Sequence, residues 1–342
     1  MNEKQINIGN VKIGDGLKPV TIAEAAVEHL GSLNVAMRMA EMAKEIKADF
    51  IKFQMHIPEK EMVPDVIKFW GGSLDEILEN YNLTIEDHKK LKSYCDKIGI
   101  EYLCTPFCPD AVDVLEQIGV NGFKTGSGEM TNFPMMAKIA DTGKPVIIST
   151  GMSSIDEIEE TVNYLKSMNV EFMLTNCTSI YPPPYESINL NLIPKFKEKF
   201  NVLIGHSDHT PDIWTSLGAI SVGACLVEKH FTLNKGLKGP DYAVSIEPKE
   251  FSDMIEAIEK IHLALGSEKI IHTEEIDVKN WANHSVVLTK DVEIGNLITE
   301  DNVQVKRPGT GIPAKELNKV IGNKVNKDLK KNTILQWTDL SK

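Results

Sequence analysis

Eight short β-rich runs alternate with helical stretches across roughly 250 residues, and no other feature of this chain restricts its fold as much. The runs cover 20–26, 50–54, 101–105, 122–127, 145–150, 171–176, 202–206 and 225–230. Several are apolar on both faces, as strands enclosed in a parallel sheet must be. Between the first two runs Val35, Met39, Met42 and Ile46 recur at helical spacing. Further on, Ser154-Ile155-Asp156-Glu157 has the capping-box pattern and Pro134 suits a first helical turn. This order predicts a (β/α)8 barrel rather than an open doubly wound sheet. No GxGxxG follows the first run, which argues against a dinucleotide site.

The barrel is expected to occupy residues 1–266, closed by a helix over 248–266. A polar linker is expected over 267–282, and a small β-rich module over 283–342, with short strands at 285–288, 303–306 and 333–337. The connection from Met55 to Leu83 is long for a βα loop and carries Trp70-Gly71-Gly72. Loops of that length usually cover or line a binding site.

Charge and composition narrow the function. Lys and Arg number 37 against 49 Asp and Glu, a formal net charge of −12. A nucleic-acid binder needs a basic face, so that class is disfavoured. An anionic substrate must instead find a local cationic pocket within a repulsive field. The N-terminus is polar and no apolar run reaches the ~18 residues of a membrane span. The five cysteines form no CxxC pair, which fits a reduced, cytoplasmic protein. Only Arg38 and Arg307 are arginines, so lysine is the default cation here and a guanidinium suggests a need for its planar fork.

In a barrel, residues at the C-terminal ends of strands face the mouth. Those ends supply Glu24, Lys52, Gln54, Thr105, Lys124, Ser127, Glu129, Ser179, Tyr181, Ser207, Asp208, His209 and His230. Two lysines with hydroxyls, carboxylates and imidazoles suit a phosphate-bearing substrate and a divalent cation. Taken singly, each has a plainer reading: a solvated lysine, a turn hydroxyl, a hydrogen-bonded histidine. The segment Gly205-His206-Ser207-Asp208-His209-Thr210 fits an open Mn, Mg or Fe site better than a closed zinc site, although His206 and His209 could simply straddle a turn.

Read in order, a set of blocks resembles the sialic acid synthase family over nearly the whole chain. The blocks are Ala23-Glu24-Ala25, Ile51-Lys52-Phe53-Gln54, Thr105-Pro106-Phe107, Phe123-Lys124-Thr125-Gly126-Ser127-Gly128-Glu129, Ser149-Thr150-Gly151-Met152, Ser207-Asp208-His209, Glu228-Lys229-His230-Phe231-Thr232, Gly239-Pro240-Asp241 and Lys306-Arg307-Pro308-Gly309. The C-terminal module resembles that family's antifreeze-like (SAF) domain. The resemblance implies that phosphoenolpyruvate condenses with an N-acetylated mannosamine-type sugar to give N-acetylneuraminate and phosphate. A diacetamido-trideoxy hexose leading to legionaminate is the alternative, and the Ser127-Gly128-Glu129 block disfavours the pseudaminate branch.

The same resemblance implies roles for individual residues. Lys52, Thr105, Lys124, Ser127 and Ser207 would cradle phosphoenolpyruvate, with Ser179 where the family often has Asn. Gln54 would serve the substrates, and Glu24, Glu129, Tyr181 and Asp241 the sugar, a metal-bound water or proton transfer. His209 and His230 would hold Mn2+ or Mg2+, which would polarise the sugar aldehyde. Arg307 would reach the sugar in trans, within a domain-swapped homodimer. The chain departs from the family at Glu28-His29-Leu30-Gly31, where Asn-His-Asn-Gly is typical, and at Cys108-Pro109. Two other readings compete: a Schiff-base aldolase using Lys124 or Lys52, which needs no metal, and a non-enzymatic binding protein built around the SAF-like module.

Overall fold

The computed structural model describes residues 4–69 and 72–341, so Trp70 and Gly71 of the long loop, and Met1 to Glu3, lie outside the described residues. The chain divides into two units, 1–266 and 267–342.

In the first unit eight strands run in the expected order: β1 (Val20–Ala26), β2 (Phe50–Met55), β3 (Glu101–Pro106), β4 (Phe123–Thr125), β5 (Val146–Ser149), β6 (Phe172–Cys177), β7 (Ile204–Asp208) and β8 (Leu226–His230). They pair in the order β3-β2-β1-β8-β7-β6-β5-β4, always in parallel. The two end strands, β3 and β4, pack against each other, which makes the sheet a nearly closed (β/α)8 barrel. The Ser154–Glu157 capping box forms as its sequence requires, and Pro134 lies in the first turn of the helix Phe133–Asp141.

Side-chain alternation divides the barrel into layers. Outward residues such as Ala23, Ile51, Cys104, Ile148, Leu174 and Val227 pack against the surrounding helices. Inward, Ile22, Phe50, Leu103, Ile147, Met173, Leu203 and Leu226 form an apolar layer with Ile6, Ile8 and Ile13. Those three isoleucines come from an antiparallel hairpin, Gln5–Ile8 with Val11–Gly14, which closes the end where the strands begin. Two residues further along six of the strands the inward position is polar, at Glu24, Lys52, Thr105, Ser149, Thr175 and Glu228, and Lys124 and Ser207 join them from β4 and β7, all buried. The apolar layer thus forms a dry floor beneath a ring of polar groups.

Several boundaries differ from the expectation. The seventh strand starts at Ile204 rather than 202, because Asn201 ends the preceding helix with φ of 55° and the chain needs two residues to turn into the sheet. The fourth is shorter, since Ser127–Glu129 tightens into a 3₁₀ turn. The closing helix is Pro248–Ala264.

The second unit, described by itself, begins within the expected linker, but Glu275–Ala282 of that stretch is helical. Strands Ser285–Leu288 and Val303–Lys306 pair antiparallel, and Val286, Leu288, Ile298, Ile312 and Leu335 form its core. The expected strand at 333–337 does not form. Ile334 makes a single bridge to Val287. The chain then enters the turn Trp337–Asp339, whose Asp339 carboxylate accepts the Gln336 N–H and ends the extended run.

Candidate active site

The polar ring opens into a cavity of about 300 Å³ at the C-terminal ends of the strands. Glu24, Lys52, Gln54, Thr105, Lys124, Ser127, Ser179, Tyr181, Ser207, His209 and His230 all line it. Of the other residues singled out from the sequence, Glu129 sits on the 3₁₀ turn and accepts Asn132 Nδ2 at 2.6 Å, away from the lining. Asp241 lies behind His230, its Oδ2 3.8 Å from His230 Nδ1. Arg307 belongs to the second unit, where its Nε donates to Ala282 O at 3.0 Å and its guanidinium lies over Trp281.

Neither lysine is solvated. Lys52 and Lys124 are 3% and 2% exposed, and they belong to a row of alternating charge. Lys52 Nζ stands 2.6 Å from Glu24 Oε2 and 3.8 Å from Glu228 Oε1, and Lys124 Nζ stands 3.7 Å from Glu228 Oε2. Thr105 Oγ1 accepts from Lys52 at 2.9 Å, while Ser149 Oγ and Thr125 O accept from Lys124 at 2.9 Å each. An ammonium has three N–H donors, so each lysine retains one for an incoming anion. Burial pushes Glu24 upward from the usual carboxylate range. Glu228 is also buried, but Lys124 and Lys52 overcome that effect and hold it down. Burial draws Lys124 below the ordinary lysine range, whereas Lys52 is raised against burial by Glu228 and Glu24.

The sequence reading missed Glu228. Ser207 Oγ donates to it at 3.0 Å, and it joins the two lysines. The signal was available, because strand alternation from His230 places Glu228 on the same inward face. Ser149 and Cys177, which also line the cavity, were not among the residues singled out. Asp208 is a correction in the other direction. It points outward to the helix Trp214–Ser221, accepting from Thr210 Oγ1, Thr215 Oγ1 and Ser216 Oγ with Lys229 at 3.5 Å. His206 also points outward, its Nδ1 3.0 Å from Asn176 O.

Opposite the lysines, the rings of His209 and His230 lie 5.3 Å apart, with Tyr181 stacked on the first and edge-on to the second. His209 Nδ1 faces Thr178 O at 2.8 Å, which makes it a donor and leaves the Nε2 lone pair free. His230 Nδ1 is buried without a hydrogen-bond partner. Burial, then Glu28 and Glu24, push Asp241 up to about 7. Two imidazoles with free lone pairs beside a carboxylate fit a divalent cation that keeps open positions. Among the described residues no group of three or more His, Cys, Asp or Glu stands together at ligand spacing.

A barrel of this kind, with buried charged groups at the C-terminal ends of its strands, defines a (β/α)8 enzyme scaffold with its site at that face. Comparison with known proteins narrows the class. Residues 39–270 match the NeuB family and 283–341 the SAF domain, and the chain belongs to the NeuB family. It is 36% identical over 334 residues to the N,N'-diacetyllegionaminic acid synthase of Campylobacter jejuni, covering 93% of this chain and 99% of that protein. It is 32% identical to the human N-acetylneuraminate-9-phosphate synthase, covering 89% of this chain and 88% of that one. The crystal structure of the N-acetylneuraminic acid synthetase of Leptospira borgpetersenii superposes with a TM-score of 0.73 at 34% identity, over 81% of this chain and 97% of that one. The chain is therefore an enzyme of the nonulosonate synthase family. No helix among the described residues is long and apolar enough to cross a membrane.

Proposed function

We propose that this enzyme condenses phosphoenolpyruvate with the open-chain aldehyde of N-acetylmannosamine, or a close N-acylated relative, to give a nonulosonate and phosphate. The observation that carries the reading is the pair of buried lysines flanking Glu228, each with a donor to spare, at the mouth of a barrel whose relatives make such acids. Lys52 and Lys124, with Thr105, Ser127 and Ser207, bind the phosphate and carboxylate and offset their charge as it shifts. C3 of phosphoenolpyruvate attacks the aldehyde carbon, whose oxygen takes up a proton. Water adds at C2 and gives up a proton. The C2–O bond to phosphate then breaks as the new C2 hydroxyl gives its proton to the departing phosphate, leaving the ketone. Glu24, paired with Lys52, and Asp241, beside His230, are the proposed carriers of those protons.

His209 and His230 would hold a divalent cation, Mn2+ or Mg2+, and when bound it would supply Lewis acidity toward the aldehyde. The five free cysteines support a reducing, cytoplasmic setting. The working form is proposed to be a homodimer in which Arg307 serves the sugar in trans. A second reading, a 2,4-diacetamido-2,4,6-trideoxy-mannose acceptor, is favoured by the legionaminic acid synthase among the relatives. Phosphate release from phosphoenolpyruvate, measured with a panel of these sugars and with product masses, tests both. Release with one sugar and a product of matching mass is expected, and no release with any sugar refutes the proposal.

A further inference from the structure

One group of residues beside the site is not absorbed by these roles. Gln54 Nε2 donates to Glu24 Oε1 at 3.1 Å, and Gln54 Oε1 faces His56 Nε2 at 3.1 Å. On its other side His56 Nδ1 lies 2.9 Å from a Glu61 carboxylate oxygen. The imidazole stacks on Phe107, a cavity-lining residue, with centroids 4.3 Å apart. Asn82 Nδ2 donates to the His56 carbonyl, tying the other end of the long loop to the same point. A continuous hydrogen-bonded line therefore runs from Glu61, on the turn Pro58–Glu61, to the catalytic carboxylate.

The direction of each bond follows from what the groups can do. Glu24 Oε1 accepts from the Gln54 NH2, while its other oxygen stands 2.6 Å from Lys52 Nζ. The Gln54 oxygen then faces His56, and His56 Nε2 must donate. Glu61 lies at Nδ1 on the other side, so the ring is hydrogen-bonded at both nitrogens.

We propose that Glu61, His56 and Gln54 are a positioning chain that fixes the orientation of the Glu24 carboxylate for proton transfer, with the His56 ring bonded to Gln54 on one side and Glu61 on the other. The proposal rests on the function given above only in that Glu24 moves a proton. None of the three touches a reacting atom through this chain; they act through Glu24.

His56→Phe keeps the stack on Phe107 and removes both ring nitrogens. It is expected to lower kcat by about tenfold or more while the KM for phosphoenolpyruvate stays within about threefold, because the lysines that grip that substrate are unchanged. Glu61→Leu should act in the same direction. Glu61→Gln, whose amide can still bond Nδ1, should recover turnover to within about threefold of wild type. This pair lies on a surface turn and serves if His56→Phe does not fold. Glu24→Gln is assayed alongside. If it is inactive while His56→Phe turns over like wild type, the chain is wrong and the function stands. If Glu24→Gln is fully active, both fail. Histidine-labelled nitrogen NMR gives a readout independent of turnover: the His56 ring nitrogen signals should shift in Glu61→Leu and return towards wild type in Glu61→Gln, and signals unmoved by Glu61→Leu overturn the proposal.

Discussion

Replacing Glu228 with Gln removes one charge from the centre of the buried row while keeping its volume and an oxygen for the Ser207 hydroxyl. The lost partners are Lys124 at 3.7 Å and Lys52 at 3.8 Å. At an effective dielectric of about 20, each separation corresponds to roughly 4 kcal/mol of attraction. Lys52 keeps Glu24 at 2.6 Å. Lys124 has no other carboxylate within ion-pair distance among the described residues, so it is the group left stranded. Removing one partner of a buried pair typically costs about 3–5 kcal/mol. At about 2–4 °C per kcal/mol, Tm should fall by about 6–20 °C. An added anion can supply the missing charge, so inorganic phosphate or phosphoenolpyruvate should raise the Tm of Glu228→Gln more than that of wild type. Thermal scans of both proteins across a phosphate series measure this. A variant Tm within about 2 °C of wild type, or equal stabilisation of both by phosphate, would refute the charge-row argument.

Four further outcomes are expected. Lys52→Met and Lys124→Met should raise the KM for phosphoenolpyruvate far more than that for the sugar, whereas a borohydride-stable pyruvate adduct on either lysine would favour the Schiff-base aldolase. His209→Ala or His230→Ala should abolish EDTA-sensitive turnover with the circular dichroism spectrum unchanged, and full EDTA-sensitive activity in either would remove it as a ligand. The folded-state values of His29 and His88, about 4 and about 3, lie below the ordinary 6.5, so their stabilising contribution is complete above 6.5 and declines as pH falls. His88→Gln should therefore reduce the stability lost between pH 7 and pH 5 by about 2 kcal/mol, measured by denaturant titration. Arg307→Ala and His209→Ala should each be inactive, and subunit exchange between them should restore part of the activity; no recovery in heterodimers verified by mass spectrometry would place Arg307 in cis or outside the site.

The barrel could be read from the sequence because strands enclosed on both faces leave an apolar signature that surface loops do not mimic. Val20–Ala26 appears at its expected limits. Where limits moved, local turn geometry decided them: Asn201 at positive φ delays the seventh strand, while alternation along it turns Ser207 inward and Asp208 outward. The strand-end reading found His230 and missed Glu228, two positions back on the same face. The lysines could be named from sequence, but their pairing could not, since Glu24 and Glu228 reach them from other strands. His56 carried no such signal, because its role depends on a turn folding back to bring Glu61 to its ring. Glu129 and Asp241 show the reverse problem: their blocks are distinctive in sequence, yet neither side chain lines the cavity.

The most direct measurement follows the bridging oxygen of phosphoenolpyruvate. Enzyme with a divalent metal is incubated with N-acetylmannosamine and phosphoenolpyruvate carrying oxygen-18 between C2 and phosphorus, and phosphate and sugar products are weighed by mass spectrometry. Attack by water at C2 followed by C–O cleavage should deliver the label to phosphate, in amounts equal to the nonulosonate formed. Label retained in the nine-carbon acid, or unlabelled phosphate released without it, would contradict the condensation proposed for this site.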